Sequence, residues 1–225
     1  MDAAPIKAVV FDFDGTLATL TLDFPLMKRK ISALAEAYLG EPAPYDGLPA
    51  LELVEDLGRR VQAAQGRDTA LEFATRCRFA ITEMELEAAR RGGLFPNTRD
   101  LLGRLRVRGV KLGVFTRNCA AAIRVVFPDI DSHIDCVKTR NDVPRVKPHP
   151  DHLLAVLGCL GVAPDKGLTV GDHRLDIRCG RSAGTRTAGV AGGSLPLSKL
   201  AAESPDYLSE NCFTLMNELE ARGLI

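Results

Sequence analysis

The stretch KAVVFDFDGTLATL, residues 7–20, ends an apolar run on two aspartates one residue apart, followed directly by glycine and threonine. Ala8-Val9-Val10-Phe11 reads as a buried strand, and a carboxylate placed there is costly unless it is paired or binds a metal. Asp12 and Asp14 project to the same side if the extended conformation continues to Asp14. Two like charges so close call for a cation between or beside them. Further polar residues close the later strand-like runs: Thr116 ends KLGVFT and Asp172 ends GLTVGD, while Lys147 sits in the loop RVKPHP. Together these supply three carboxylates, one hydroxyl and one ammonium. Oxygen donors with room for water suit magnesium, which usually takes one or two carboxylates together with substrate phosphate oxygens.

A soft-metal centre does not fit. The six cysteines (77, 119, 136, 159, 179 and 212) show neither a C-x-x-C pair nor zinc spacing and read as small buried hydrophobes of a reducing compartment. His149 and His152 stand three apart at a helix start, without a cysteine or third histidine to complete a site. His173, beside Asp172, reads as a solvated residue or one placed behind the site.

The elements that must carry these residues alternate. The strand-like runs are KAVVFD (7–12), KLGVFT (111–116), DCVKT (135–139), GLTVGD (167–172) and TRTAGVA (185–191). Helical patterns lie between the later runs: residues 97–109, with an Asn or Thr N-cap and a Leu101/Leu102/Leu105 stripe, then 150–161, from proline to glycine, then part of 172–184. Such alternation predicts an α/β fold, a Rossmann-like parallel sheet flanked by helices, with the ligand crevice at the carboxyl ends of the strands. That geometry gathers Asp12, Asp14, Thr116, Lys147 and Asp172 at one sheet edge. Residues 19–92 break the rhythm with three amphipathic stretches ending in Gly40, Gly66 and Gly92-Gly93. They read as a helical insert after the first strand, with residues 1–18 and 93–225 forming the core. The segment around residues 16–22 and the glycine pair make a two-strand hinge. The insert's apolar residues Leu34, Leu39, Leu53, Leu57, Phe73 and Ile81 read as its own core. A helix near the C-terminus, FTLMNELEARG, packs back on the main body.

With 225 residues the chain can bury a substantial core, and its 29 basic and 29 acidic side chains cancel. That balance gives no general attraction to nucleic acid or to an acidic membrane. The basic runs at 28–30 and 104–111 read as solvated faces, and no signal core or bilayer-length apolar stretch appears. The expectation is a cytoplasmic protein with a small-molecule partner; a monomer is compatible, and the sequence leaves the oligomeric state open.

VVFDFDGTL, VFTRN, VKPHP and VGDHRLD, in this order, resemble the four motifs of the haloacid dehalogenase superfamily, and the helical insert resembles the cap of its phosphoglycolate phosphatase-like branch. The resemblance implies a phosphatase acting through an aspartyl-phosphate. Asp12 is then the nucleophile and Asp14 the acid that protonates the leaving oxygen and the base that later activates water. Magnesium is held by Asp12, the backbone carbonyl of Asp14, and Asp172. Thr116 and Lys147 hold phosphoryl oxygens, assisted by backbone N–H groups near Gly15 and Arg117, and Asp176 supports Lys147 or a metal-bound water. Arg117 and Asn118 are candidates on the substrate side, although Arg117 could equally form a surface pair. Asp14 supplies an acid that dehalogenation does not need, and no threonine replaces it as in ion-pump ATPases. The implied substrate is a small phosphate ester such as phosphoglycolate. A phosphosugar mutase is the alternative enzyme, and a non-catalytic binding or assembly factor the alternative of another class.

Overall fold

A computed structural model describes residues 4–193 and 195–225. Two compact units emerge, one comprising the chain up to Leu20 together with Ala89–Ile225, the other Thr21–Ala88.

In the larger unit the first strand, β1 (Ala8–Phe11), is completely buried, as expected of a central parallel strand covered on both faces. A short antiparallel pair follows, β2 (Ala18–Thr19) with β3 (Gly93–Leu94). The remaining strands are β4 (Lys111–Phe115), β5 (Cys136–Lys138), β6 (Gly167–Gly171), β7 (Arg186–Val190) and β8 (Tyr207–Ser209). The main sheet is six-stranded in the order β5-β4-β1-β6-β7-β8, and every pairing is parallel. Phe11 pairs with Val114 on one side and Val170 on the other. This register brings Asp12, Thr116 and Asp172 off the sheet at one edge. Chain order reverses about β1, so this edge is the switch point where such sheets bind ligands.

The smaller unit holds α1 (Phe24–Leu39), α2 (Ala50–Gln65) and most of α3 (Arg67–Arg91). Asp23 caps α1 by accepting the Leu26 N–H, and Gly40 ends it in the left-handed conformation. Its core contains Leu53, Leu57, Phe73 and Ile81, with Leu34 and Leu39 packed at the margin.

The core helices are α4 (Thr98–Val107), α5 (Ala120–Val126), α6 (Pro150–Leu160), α7 (Arg174–Ala183), α8 (Leu197–Ala201) and α9 (Cys212–Ala221). On one sheet face Ala8, Val10 and Phe115 pack with Leu153, Val156 and Leu157 of α6 and Cys179 of α7. The strand β8 and the helices α5 and α8 have no counterpart in the elements read from the sequence. The basic run of α4 is tied rather than simply solvated: Arg104 and Arg108 both pair with Glu220 of α9, and Arg104 stacks on Phe213. Five cysteines are buried as expected, but Cys159 of α6 is exposed. Among the described residues no helix is long and apolar enough to cross a membrane.

Candidate active site

The strand β1 stops at Phe11 and the chain bends at Phe13, whose carbonyl accepts the N–H groups of Leu17 and Ala18. The extended conformation therefore does not continue to Asp14, and the two aspartates do not stand as a simple same-side pair. Asp12 Oδ1 accepts the Phe13 N–H at 2.6 Å, while Asp14 Oδ1 turns to the Leu20 N–H at 2.7 Å. Gly15, with φ of +77°, permits the turn; a side chain there would also press on the Asp172 carboxylate, its Cβ only 2.5 Å from Cγ.

Asp12, Asp172 and Asp176 are all buried, and each offers an oxygen within 4.8 Å of the others. The Lys147 ammonium, 3% exposed as a residue, lies 2.5 Å from Asp12 Oδ1 and 2.7 Å from Asp176 Oδ1. It also sits 4.3 Å from the centre of the Phe115 ring, a cation–π contact. Asp176 is anchored from behind, its Oδ2 accepting the His173 N–H at 2.9 Å in a capping box at the start of α7. Gly171 must lack a side chain because a Cβ would overlap the Asp176 carboxylate.

Thr116 is buried; its N–H donates to the Lys138 carbonyl at 3.0 Å, and its hydroxyl accepts the Asn118 N–H at 3.2 Å. Arg117 reaches across to the Lys147 carbonyl at 3.0 Å, while Arg140 donates to the Arg117 carbonyl at 3.3 Å. Asn118 is buried beside them. Thus the structure places Asp12, Lys147, Asp172 and Asp176 in one group, with Thr116 on the adjoining strand end. The Asp14 side chain is not among the three clustered carboxylates. Of the histidines beside these motifs, His149 caps α6 and His173 caps α7, whereas His152 is fully buried beneath Lys147.

Burial and mutual repulsion disturb the carboxyl groups of the site. Burial raises the Asp12 carboxyl to about 7 against the pull of Lys147. Burial raises Asp14 to about 6. Asp172 rises to about 9, first by burial and then by repulsion from Asp12 and Asp176. Burial alone would lower the Lys147 ammonium, but Asp12 and Asp176 reverse that and hold it above its ordinary value. The Asp12, Asp172 and Asp176 carboxyls outnumber the one ammonium that faces them. A hard divalent cation answers that demand, and the donor set is entirely oxygen.

A feature absent from the sequence reading completes the edge. Gly192 and Gly193 follow β7; a Cβ on Gly192 would overlap the Gly15 carbonyl, and one on Gly193 would overlap Asp172 Oδ2. Backbone here forms a wall against the carboxylate. The signal was available, since a Gly-Gly pair directly after TRTAGVA falls at the carboxyl end of a parallel strand. Gly193→Ala is expected to displace the Asp172 carboxylate and lower kcat/KM by about 10–100-fold, as ångström-scale misplacement does. Its checkable companion is a weaker rise in melting temperature with added magnesium than wild type shows; an unchanged magnesium response would contradict the close approach.

Residues 9–190 match the family model of haloacid dehalogenase-like hydrolases. Phosphoglycolate phosphatase of Escherichia coli strain K12 is 27% identical over 253 aligned residues, covering 95% of this chain and 92% of the relative. Pyrophosphatase PpaX of Anoxybacillus flavithermus is 36% identical over 122 residues, which span 53% of this chain and only 57% of that protein. Among solved structures, a beta-phosphoglucomutase from Clostridium difficile superposes with a TM-score of 0.68 at 18% identity, covering 96% of each chain, a likeness of fold. The match across 9–190, on a fold that sets these four motifs around one sheet edge, makes the chain an enzyme of the haloacid dehalogenase-like hydrolase family.

Proposed function

We propose that the protein is a magnesium-dependent phosphatase hydrolysing a small phosphorylated metabolite, phosphoglycolate-like or a phosphosugar, through a phosphorylated Asp12. The observation that carries this reading is the buried Lys147 ammonium held between Asp12 and Asp176, with Asp172 at the same edge. Lys147 and the Phe13 N–H both engage Asp12 Oδ1, which leaves Oδ2 as the attacking oxygen. Attack forms the Asp12–phosphorus bond and breaks the bond from phosphorus to the ester oxygen, to which Asp14 gives its proton. Asp14, now a carboxylate, takes a proton from the water that attacks the phosphorylated Asp12 and releases phosphate. An Asp14 carboxyl raised to about 6 suits an acid that must hold and then regain a proton near neutrality. Lys147 and Thr116 hold the phosphoryl oxygens, with the Arg117 N–H and the Asn118 side chain completing the cradle; the Gly15 N–H, expected there from the sequence, instead donates to the Ala18 carbonyl at 2.8 Å and closes the turn. Asp12, Asp172 and the Asp14 backbone carbonyl are the proposed magnesium ligands. Magnesium, when bound, supplies charge neutralisation between the attacking carboxylate and the phosphate dianion. The helical insert is proposed as the cap that selects the substrate.

The test is phosphate release from phosphoglycolate, pyrophosphate, hexose phosphates and nucleotides, with magnesium or with chelator. The expected result is release with magnesium, abolished by chelator, and fastest for a small ester. Interconversion of hexose phosphates without release would identify a mutase. Neither release nor interconversion by folded protein would replace the enzyme reading with a binding role.

A further inference from the structure

His152 stands in the first turn of α6 and is fully buried, yet the chemistry proposed above makes no use of it. Its Nδ1 accepts the Lys147 N–H at 3.2 Å, and its Nε2 lies 3.0 Å from the Lys138 carbonyl oxygen. A backbone N–H only donates and a carbonyl only accepts, so a single tautomer satisfies both: a neutral ring with its proton on Nε2. The same Lys138 carbonyl receives the Thr116 N–H at 3.0 Å. One imidazole thus bridges the Lys147 backbone to the anchor of the Thr116 backbone.

The surroundings fix the ring further. Phe115 meets it edge-on with centroids 5.6 Å apart, and that same Phe115 ring carries the Lys147 ammonium. Arg117 takes the Lys147 carbonyl, so the lysine is gripped through both its N–H and its C=O. Burial, followed by the positive charge of Lys147, lowers the imidazole to about 4, which keeps Nδ1 a bare acceptor at neutral pH.

We propose that His152 is a positioning residue that sets the spacing between the Lys147 ammonium and the Thr116 hydroxyl, the two side chains that grip the phosphoryl oxygens. The proposal rests on the phosphatase reading for what those two groups hold, and its own content is the bridge. An apolar side chain of the same size fills the space but leaves the Lys147 N–H buried without its acceptor.

The variants His152→Phe, His152→Asn and Val156→Ala separate positioning from packing. Phenylalanine keeps a ring against Phe115 and removes both hydrogen bonds; asparagine retains an acceptor near the Nδ1 position without spanning to Lys138. Val156, fully buried one turn further along the same helix, makes neither hydrogen bond of the bridge and reports the loss of packing beside it. His152→Phe is expected to lower kcat/KM by about 10–100-fold and to weaken competitive inhibition by inorganic phosphate about tenfold. His152→Asn should fall between it and wild type, and Val156→Ala should stay within about twofold of wild type despite a lower melting temperature. Nitrogen-15 spectra of the wild-type ring should show Nε2 protonated and Nδ1 bare. Phosphate inhibition and kcat/KM unchanged in both His152 variants of an active enzyme would overturn the bridge, as would equal losses in Val156→Ala. If His152→Phe does not fold, an unchanged His152→Asn overturns it alone. A wild type that releases no phosphate sinks the phosphatase reading, and calorimetric binding of inorganic phosphate then decides the bridge; binding of none overturns both.

Discussion

Asp12→Asn is expected to reduce phosphate release by about four orders of magnitude or more, because it removes the proposed nucleophile rather than an assisting group. The substitution is nearly isosteric. It retains an oxygen to accept the Phe13 N–H and to face Lys147, so the fold and substrate affinity should survive. What it loses is the carboxylate oxygen proposed to form the bond to phosphorus. Acid-quenched wild type incubated with substrate should carry phosphate on Asp12, and the variant should carry none. Asp14→Asn makes the informative contrast. An acid that protonates the leaving oxygen typically contributes about 10²–10⁴-fold, and only where that oxygen needs a proton. The variant should lose most of its activity on alkyl phosphates and much less on p-nitrophenyl phosphate, whose leaving group departs as a stable anion. Full activity of Asp12→Asn would remove covalent catalysis at this residue. Equal losses of Asp14→Asn on both esters would remove its role as the acid.

How much of this was visible in the chain depends on the kind of signal. Continuous apolar runs such as AVVF and GLTVG announce themselves because a central parallel strand is buried on both faces, and their terminal residues Asp12, Thr116 and Asp172 followed directly from that reading. The short edge strand β8 carries three residues, one of them buried, too little to register as a pattern. The bend at Phe13 escaped for a different reason. Carboxylate alternation assumed an extended chain, while the turn is set by Phe13 carbonyl bonds to residues further on and by the positive φ of Gly15. Arg117 and His152 show the limit most clearly. Each has a chemistry that several partners could satisfy, and only the meeting of the segments after β4 and β5 with the start of α6 decides that both grip the Lys147 backbone. Gly193 marks an absence: its importance lies in the side chain it lacks, and that becomes visible only once Asp172 is placed against it.

Asp172→Asn should make the metal-free protein more stable at alkaline pH while abolishing its response to magnesium. An unfolded chain ionises this carboxyl near 3.8, whereas the folded, metal-free protein holds the proton up to about 9. Across that window the folded state binds more protons than the unfolded one, so stability present in acid is lost as pH rises from about 4 to 9. Asp12 and Asp14, raised to about 7 and about 6, act in the same direction over the lower part of the range. His152 acts oppositely, since its depressed value, about 4, removes stability as pH falls below 6.5. Denaturant midpoints of variant and wild type compared at pH 7 and pH 8.5 lie above the imidazole range, and the buried thiols, pushed up to about 12, contribute equally to both proteins. The asparagine removes one ionisation that burial and two neighbouring aspartates oppose, and a gain of about 2–4 kcal/mol at pH 8.5 is expected in chelator. With magnesium the ranking should invert: wild type is expected to gain stability by binding the ion to the folded state alone, and the variant, lacking a proposed ligand, is not. A variant less stable than wild type in chelator at pH 8.5 would show that Asp172 is already compensated without a metal. The expected inversion would mean that the site stores repulsion in the empty protein, and that a cation relieves it in the working one.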